Sequence, residues 1–573
     1  MSSPSLSSSF LSLFGRFLDH NNPLLRRAEH AWVALTLAAA ALYLVRNGGV
    51  AAKRLLGSAA SLPPLRKAID HQLDAQVEEI VRDMFPRRRR STQGAEEEHN
   101  FLERVPERGM DREELVALME ALADEDRALG EEGKAFAYVY TPLEAGHKLL
   151  VERAFTLFMH QNGLNPVVFQ NLRRFEVEVV AMCRWMMGGV EGVCGNMTSG
   201  GTESIICAMK AARDFAAANR RTKGQAEVVL PSTAHPAFEK AGQLLGMKMK
   251  WVAVLPDTRE ADVQAMSAAI TPNTIALVGS APSYPHGVMD PIPALAELAL
   301  SRGLLLHVDS CIGGFVLPWF RFLSPEERQR CGLPEREEDL PRFDFRVEGV
   351  TSLSMDVHKY GFAAKGASVV LYRDTGLRKY QYSAYSEWPG GLFVSPSLLG
   401  TRAGGSIAAA WAALMGLGVE GFKETVKQLM DTTRFLREGI QERLSEDLQV
   451  VGQPAMSILA IEACSSSRVD VLAVADELEE ASKAEGAAGW HIERNQLPPS
   501  IHMTIMPSHA RLKEKFLEDL ERAVERVKAH PERYVGQGSV AMYGGLALAR
   551  DTLGPGLVND FLVKWASRVY STK

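Results

Sequence analysis

Short apolar runs rich in β-branched residues recur through the middle of the chain, and longer helical patterns separate them. The runs lie at residues 228–230, 251–255, 274–279, 303–309 and 367–372. Helix-like segments such as 203–220 and 293–302 lie between them. Strands that alternate with helices predict an α/β fold whose mostly parallel central sheet is covered by helices on both faces.

The pattern changes near residue 405. From there the chain is helical, then mixed to about residue 510, and then helical and charged. This change predicts a large domain over residues 145–404 and a smaller α+β domain over residues 405–573.

An uncharged run at residues 31–45 follows a short Ser-rich tail over residues 1–30. Fifteen helical residues span only about 22 Å, but a helix that continues to residue 52 can cross the roughly 30 Å hydrocarbon core. More Lys and Arg follow the run than precede it, so the positive-inside rule predicts a single-pass anchor over 31–52 with the body in the cytosol. A buried helix and a signal peptide are the alternatives. Residues 53–144 are predicted to be a linker and a helical segment.

Composition and charge exclude several classes of protein. Of 573 residues, 46% are hydrophobic and 23% charged, which is not typical of disordered, collagen-like or disulfide-framework chains. The net charge of −6 argues against a nucleic-acid partner. Residues 1–90 nevertheless carry 13 Lys and Arg against 7 Asp and Glu, which favours contact with an anionic membrane surface. Six cysteines without a CxxC pair predict reduced thiols and no metal site.

Three polar features follow one another along the chain. The glycine-rich turn at 198–204 enters a predicted helix, where free N–H groups and the helix dipole favour a phosphate. Asp309 ends an apolar strand, at the edge where α/β sheets bind ligands. Lys359 lies in a turn between two predicted strands, where desolvation would lower its pKa toward that of a nucleophile. Taken singly, a capped loop, a helix-capping Asp and a surface lysine remain alternatives.

The order of these features resembles that of fold-type I pyridoxal phosphate enzymes, which are aspartate aminotransferase-like. Several motifs narrow the resemblance to sphingosine-1-phosphate lyases within the wider group II decarboxylases: NMTSGGTES, STAHPAF, HVDSCIGGFVLP and SMDVHKYGFAAKG. The resemblance covers roughly residues 100–550. It implies a pyridoxal 5'-phosphate cofactor, a homodimer, and an enzyme of the endoplasmic reticulum membrane whose catalytic domain faces the cytosol.

The same resemblance implies roles for the cofactor residues. Lys359 would bind pyridoxal phosphate covalently, Asp309 would pair with the pyridine nitrogen, and His235 would stack on the ring. The cofactor phosphate would be held by residues near the glycine-rich turn and the lysine: Gly201, Thr202, His358 and Ser354.

On the substrate side, the resemblance implies that Lys365 binds the substrate phosphate and that Tyr140 is an active-site tyrosine supplied across a dimer interface. The implied reaction is retro-aldol cleavage of the C2–C3 bond of a phosphorylated sphingoid base, which gives a long-chain aldehyde and phosphoethanolamine.

This chain departs from the family pattern at three positions. Asn165 stands where a substrate-contacting His is usual, Phe136 is bulkier than the usual residue, and Val357 replaces a Thr. Asn carries no charge, so a charge-assisted contact to the substrate phosphate would be lost. The departures keep two alternatives open: an amino-acid decarboxylase of the wider family, and a pyridoxal-binding homologue with altered substrate or lost activity.

Overall fold

The computed structural model describes residues 74, 77–78, 81–82, 89–92, 95–98, 105–131, 133–136, 139, 143–219, 224–484, 489–534, 538–553 and 555–571. The predicted membrane segment 31–52 and Tyr140 lie outside these residues. Two compact units are present, one formed by Met1–Asp124 with Ala529–Lys573 and one by Glu125–Lys528. The predicted domain boundaries at residues 145 and 405 stay predictions.

The helices are numbered in chain order. They are α1 (Arg112–Glu131), α2 (Ala145–Phe158), α3 (Gln170–Met186), α4 (Gly201–Asn219), α5 (Ala237–Leu245), α6 (Val263–Ala269), α7 (Ile292–Arg302), α8 (Pro325–Arg330), α9 (Thr375–Arg378), α10 (Gly404–Arg443), α11 (Val471–Ala484), α12 (Lys513–Ala529), α13 (Gly538–Leu553) and α14 (Pro555–Val569). Short 3₁₀ turns lie at Leu317–Phe322, Glu337–Asp339, Lys379–Gln381, Pro507–Arg511 and Pro531–Arg533.

The strands are numbered in the same way. They are β1 (Arg89–Thr92), β2 (Ala95–Glu98), β3 (Cys194–Thr198), β4 (Glu227–Pro231), β5 (Lys248–Val252), β6 (Thr274–Ser280), β7 (Leu305–Asp309), β8 (Ser352–Met355), β9 (Ser368–Tyr372), β10 (Ser383–Tyr385), β11 (Phe393–Ser395), β12 (Leu448–Val450), β13 (Ile458–Ala463), β14 (Glu493–Gln496) and β15 (Pro499–Thr504).

The central sheet has seven strands in the order β3-β9-β8-β7-β6-β4-β5. The β5-β4, β4-β6, β6-β7 and β7-β8 pairs are parallel, whereas β9 is antiparallel to both of its neighbours. The prediction of a mostly parallel α/β sheet is therefore confirmed. Because β3, β4, β6, β7 and β8 run in the same direction, their carboxyl ends meet at one edge, and this edge positions the candidate site.

The apolar runs mark the inner strands well. Strands β4, β6 and β9 are buried along their whole length, as strands covered on both faces must be. The run at 251–255 is displaced from its strand, Lys248–Val252, because β5 lies at the edge of the sheet and is half exposed. Strands β3 and β8 are not among the apolar runs used to predict strands, because their sequences, CGNMT and SLSM, are short and polar.

A second sheet in the same unit has the antiparallel order β12-β13-β15-β14. The long helix α10 precedes it and kinks at Gly418, where φ is 58°. Of the residues described, only α10 is long and apolar enough to cross a membrane, but more than half of its apolar stretch is buried within the protein. Burial in the core accounts for its hydrophobicity.

Candidate active site

Four strands deliver the predicted cofactor residues to one edge of the central sheet. Strand β3 leads into the glycine-rich turn and α4, β4 precedes His235, β7 ends in Asp309, and β8 precedes Lys359. Charge interactions link His235 with both Asp309 and Lys359, so the three side chains lie near one another. The predicted cofactor residues are thus brought together within one chain.

Lys359 forms an ion pair with a residue that the sequence did not single out. Its Nζ lies 2.9 Å from Oδ2 of Asp356, a carboxylate that is only 2% exposed. Burial by itself would lower the pKa of Lys359, but Asp356 outweighs it and raises the pKa above the ordinary range. The predicted lowering of this pKa is therefore wrong for the cofactor-free chain, since a facing carboxylate holds the ammonium charged.

Asp309 is buried at the end of β7. Its Oδ1 accepts hydrogen bonds from the Cys311 backbone N–H at 3.0 Å and from the Ser354 hydroxyl at 3.5 Å. Ser354 is completely buried and also contacts His307 and Cys311. Ser354 was predicted as a candidate ligand of the cofactor phosphate, but the structure places its hydroxyl beside Asp309, where it orients that carboxylate.

His235 is held in one tautomer. Its Nδ1 accepts a hydrogen bond from the Ala237 backbone N–H at 3.1 Å, so the neutral ring carries its proton on Nε2. Desolvation by the surrounding protein lowers the pKa of His235, although Asp309 opposes the shift. The ring is therefore a neutral donor at Nε2.

The first turn of α4 packs tightly against the lysine turn. A Cβ at Gly201 would lie 2.9 Å from Asp356 Oδ2 and 2.8 Å from Cys311 Sγ, so only glycine fits. The first N–H groups of a helix, here those of Gly201 and Thr202, have no partner in a preceding turn. His358 accepts the Ala367 N–H at Nδ1, and desolvation lowers the pKa of its ring.

These residues fit pyridoxal phosphate. The lysine amine suits the aldehyde of the cofactor, and the buried carboxylate at the end of the strand suits its pyridine nitrogen. The neutral imidazole suits the ring, and the helix N-terminus suits the phosphate. Oδ1 of Asp356 is buried and accepts no hydrogen bond from the described residues, so this oxygen can still accept one from a bound group. Among those residues no group of three or more His, Cys, Asp or Glu side chains is arranged to hold a metal ion.

Lys365, the predicted substrate-phosphate residue, lies beside the same turn. Its Nζ donates to the carbonyl oxygens of His358 at 2.8 Å and Val139 at 2.9 Å. Burial, followed by the charge of Lys359, lowers the pKa of Lys365 to about 8. The Lys365 ammonium therefore lies close to Lys359, and it loses its charge at mildly alkaline pH.

The departures from the family pattern have different surroundings. Phe136 is completely buried, and its ring lies 4.0 Å from that of His509, 4.6 Å from Phe516 and 5.5 Å from Trp490, measured between centroids. Its bulk therefore fills the core beside the second sheet rather than a substrate pocket. Val357 is also completely buried.

Asn165 is exposed, and its Oδ1 accepts a long hydrogen bond from the Val168 N–H at 3.4 Å. No described contact joins it to the Lys359 cluster within one chain.

The sequence analysis did not single out two acidic residues of this site. Asp356 lies three residues before Lys359, and Glu203 lies in the first turn of α4. Both positions stand inside motifs that had been quoted, but acidic residues are common in turns and at helix starts. Only the tertiary contacts distinguish them from ordinary caps.

Comparison with known proteins identifies the family. A family model described as pyridoxal-dependent decarboxylase conserved domain matches residues 165–461. The sphingosine-1-phosphate lyase of Arabidopsis thaliana is 39% identical over 527 residues, which are 90% of this chain and 89% of that protein. Sphingosine-1-phosphate lyase 1 of Mus musculus is 35% identical over 525 residues, or 91% and 85%.

The chain belongs to the sphingosine-1-phosphate lyase family. The solved structure of a sphingosine-1-phosphate lyase from Burkholderia pseudomallei is similar to 76% of this chain and 95% of its own, with a TM-score of 0.68 and 34% identity. The predicted family, its pyridoxal-dependent fold and its cofactor are confirmed by these likenesses. The roles of individual residues in this member of the sphingosine-1-phosphate lyases stay predictions.

Proposed function

We propose that this protein is a pyridoxal phosphate-dependent lyase that cleaves the C2–C3 bond of phosphorylated sphingoid bases into a long-chain aldehyde and phosphoethanolamine. The observation that carries the proposal is the ion pair of Lys359 with buried Asp356, beside Asp309 and His235 at one edge of the sheet. Membership of the sphingosine-1-phosphate lyase family over 90% of the chain supports the substrate class.

Lys359 and Asp309 are assigned to the two reactive ends of the cofactor. Bound pyridoxal phosphate supplies an electron sink for the electron pair of the broken C–C bond. Lys359 would hold the cofactor through its amine until the substrate amine replaces it. Asp309, kept in place by Cys311 and Ser354, would hold a proton on the pyridine nitrogen.

The proton of the C3 hydroxyl needs a base, and the geometry favours Lys359 over His235. Nδ1 of His235 is occupied by the Ala237 N–H, and Nε2 carries the proton, so the neutral ring donates but does not accept. Lys359, once displaced, has a free amine that can accept the hydroxyl proton. Asp356, 2.9 Å away, would stabilise the resulting ammonium, which would then return the proton to C2.

Lys365 is assigned to the phosphate of the substrate. Its ammonium lies at the turn that carries Lys359 and is charged below about pH 8, which suits a dianionic phosphate. Tyr140 and Asn165 are proposed to approach this phosphate from a second subunit.

A homodimer is proposed because the β10–β11 hairpin exposes a group of large apolar side chains. Tyr385, Trp388, Leu392 and Val394 are all more than half exposed in the single chain. Such patches are typical of protein interfaces. Light scattering of the purified protein tests this assignment; a monomer at micromolar concentration would contradict it.

Membrane anchoring in the endoplasmic reticulum is proposed for residues 31–52, with the catalytic part in the cytosol. The support is the apolar run and the excess of Lys and Arg after it. Carbonate extraction of membranes would leave the full chain in the pellet, and a variant lacking residues 31–52 would be released. Release of both would contradict the anchor.

The deciding experiment for the reaction is mass spectrometry of products after cofactor-loaded protein is incubated with a long-chain sphingoid base phosphate. Long-chain aldehyde and phosphoethanolamine in equal amounts are expected, and Lys359→Ala is the control. Unconsumed substrate would contradict the proposed substrate, and carbon dioxide released from amino acids would favour a decarboxylase.

A further inference from the structure

Glu203 is a buried carboxylate that joins two separate segments of the chain. Its Oε2 accepts a hydrogen bond from the Ser199 backbone N–H at 2.7 Å, within the glycine-rich turn. Its Oε1 accepts from the backbone N–H groups of Leu398 at 3.0 Å and Leu399 at 3.2 Å. The side chain is only 6% exposed, so these three N–H groups replace the water that a carboxylate would otherwise bind.

Leu398 and Leu399 belong to a segment, residues 395–402, that we term the strap. The strap links strand β11 to helix α10 and is fastened at both ends. Near its start, the Pro396 carbonyl accepts a hydrogen bond from Gln381. At its end, Arg402 pairs with Glu176 at 2.5 Å, and the Arg402 N–H donates to Asn162 Oδ1 at 3.1 Å. Glu203 holds the middle of the strap by accepting the N–H groups of Leu398 and Leu399.

At Leu398 and Leu399 the backbone is held inward while the two side chains are exposed, whereas Ser395 and Ser397 of the strap are buried. Leu398 is 56% exposed and Leu399 is 41% exposed, although their N–H groups are bonded to a buried residue. The strap therefore adds two exposed apolar side chains to the segment that follows the β10–β11 hairpin. Its conformation is set by the same carboxylate that fixes Ser199 beside the first turn of α4.

A carboxylate is required at this position because N–H groups approach both oxygens. Glutamine has one oxygen and one NH₂ group, so it can satisfy one side only and must turn a donor toward the other. Loss of either contact would free Ser199 or the strap. The chemistry thus distinguishes Glu from Gln, which have nearly the same size.

We propose that Glu203 is a positioning residue that couples the cofactor phosphate site to the strap. A phosphate bound by Gly201 and Thr202 fixes the first turn of α4 and, through Glu203, slows local opening of the strap. By linkage, an ordered strap strengthens binding of the phosphate to the same degree. This inference rests on the proposed placement of the cofactor phosphate at the start of α4.

Hydrogen–deuterium exchange of the full chain tests the coupling. In the wild-type protein, pyridoxal phosphate is expected to slow exchange at Leu398 and Leu399 about tenfold, and inorganic phosphate is expected to slow it less. In Glu203→Gln, exchange at both residues is expected to be fast and unresponsive to either ligand. The dissociation constant for pyridoxal phosphate, measured by dialysis, is expected to rise about tenfold, as for loss of a charge-assisted hydrogen bond.

The matched control is Glu227→Gln. Glu227 is also buried, accepts a hydrogen bond from Thr271 and pairs with Lys250 at 3.5 Å, at the far end of strand β4. In Glu227→Gln, pyridoxal phosphate is expected to slow exchange at Leu398 and Leu399 as much as it does in the wild-type protein. A purely structural Glu203 would raise exchange in Glu203→Gln but leave the response to the cofactor intact, and that result would overturn the proposal.

The wild-type measurement alone is sufficient if Glu203→Gln fails to fold. Suppose that the wild-type protein binds the cofactor and releases aldehyde, but exchange at Leu398 and Leu399 does not change. That result would overturn the coupling while the proposed function stands. Wild-type protein that binds no pyridoxal phosphate would instead overturn the proposed function.

Discussion

The proposed cofactor side and the proposed substrate side of the site differ in how many of their residues are joined by described contacts. Lys359, Asp356, Asp309, His235 and the first turn of α4 come together at one sheet edge within a single chain. Of the predicted substrate residues, only Lys365 is joined to that cluster by described contacts, through the backbone of His358. The two sides therefore differ in how far the described contacts fix their geometry.

Lys359 and Lys365 show the difference within one turn. Desolvation opposes the charge of both lysines, yet the pKa of Lys359 lies above its ordinary range and that of Lys365 falls to about 8. Asp356 faces Lys359, whereas Lys365 is bonded to neutral carbonyl oxygens. The partner, rather than burial, decides the sign of the shift.

The largest expected effect comes from removing Lys359, the lysine proposed to hold the cofactor. Lys359→Ala is expected to abolish the visible absorbance of covalently held pyridoxal phosphate and to lower kcat/KM by at least about a thousandfold, since the amine proposed to hold the cofactor and to accept the hydroxyl proton is removed. Absorbance spectra and product assays check this. Lys240→Ala, at an exposed lysine, is the control. A variant that keeps the absorbance would contradict the assignment of Lys359.

A smaller loss is expected from neutralising its partner. Asp356→Asn leaves burial as the main influence on Lys359, so the pKa of the lysine should fall and the cofactor-free protein should take up pyridoxal phosphate at lower pH. The loss in kcat/KM is expected to be about tenfold to a hundredfold, as for a hydrogen bond to a charged group. The rate of uptake, measured from pH 6 to 10, reports the shift. An unchanged pH profile would show that Asp356 does not control Lys359.

On the substrate side, the effect should appear in KM and depend on pH. The lowered pKa of Lys365 means that it is charged below about pH 8 and loses its charge above it, so KM for a phosphorylated substrate is expected to rise from pH 8 to 10. Lys365→Met should raise KM about tenfold or more at neutral pH, and Lys365→Arg should remove the alkaline rise. Steady-state kinetics in both variants checks this; an identical rise in Lys365→Arg would contradict the assignment.

The smallest effect is expected at Asn165. Asn165→His should lower KM by about two- to tenfold at pH 6 and less at pH 8, because the imidazole is charged only at the lower pH. Asn165→Gln, which adds no charge, is the control. Equal KM values for wild type and Asn165→His at pH 6 would place this residue away from the substrate phosphate.

The sequence predicted the inner strands because strands buried on both faces are apolar throughout, as in β4 and β6. It could not place the polar strands β3 and β8, whose positions depend on their neighbours. The motifs and the resemblance singled out Lys359, Asp309 and His235, which the structure brings together. They did not show that Ser354 lies beside Asp309 or that Phe136 lies in the core. A motif gives the order of residues along the chain, and packing decides which side chains lie together at the edge of the sheet.

The sequence by itself determined the fold class, the family and the cofactor, because periodicity and motif order persist along the chain. Only the tertiary structure decided that Asp356 faces Lys359, that Glu203 joins the glycine-rich turn to the strap, and that Phe136 lies in the core. Such contacts connect residues far apart in the chain or choose among acidic residues that look alike in sequence. Charge and hydrogen bonding act over a few ångströms, so they depend on distances that only the folded chain defines.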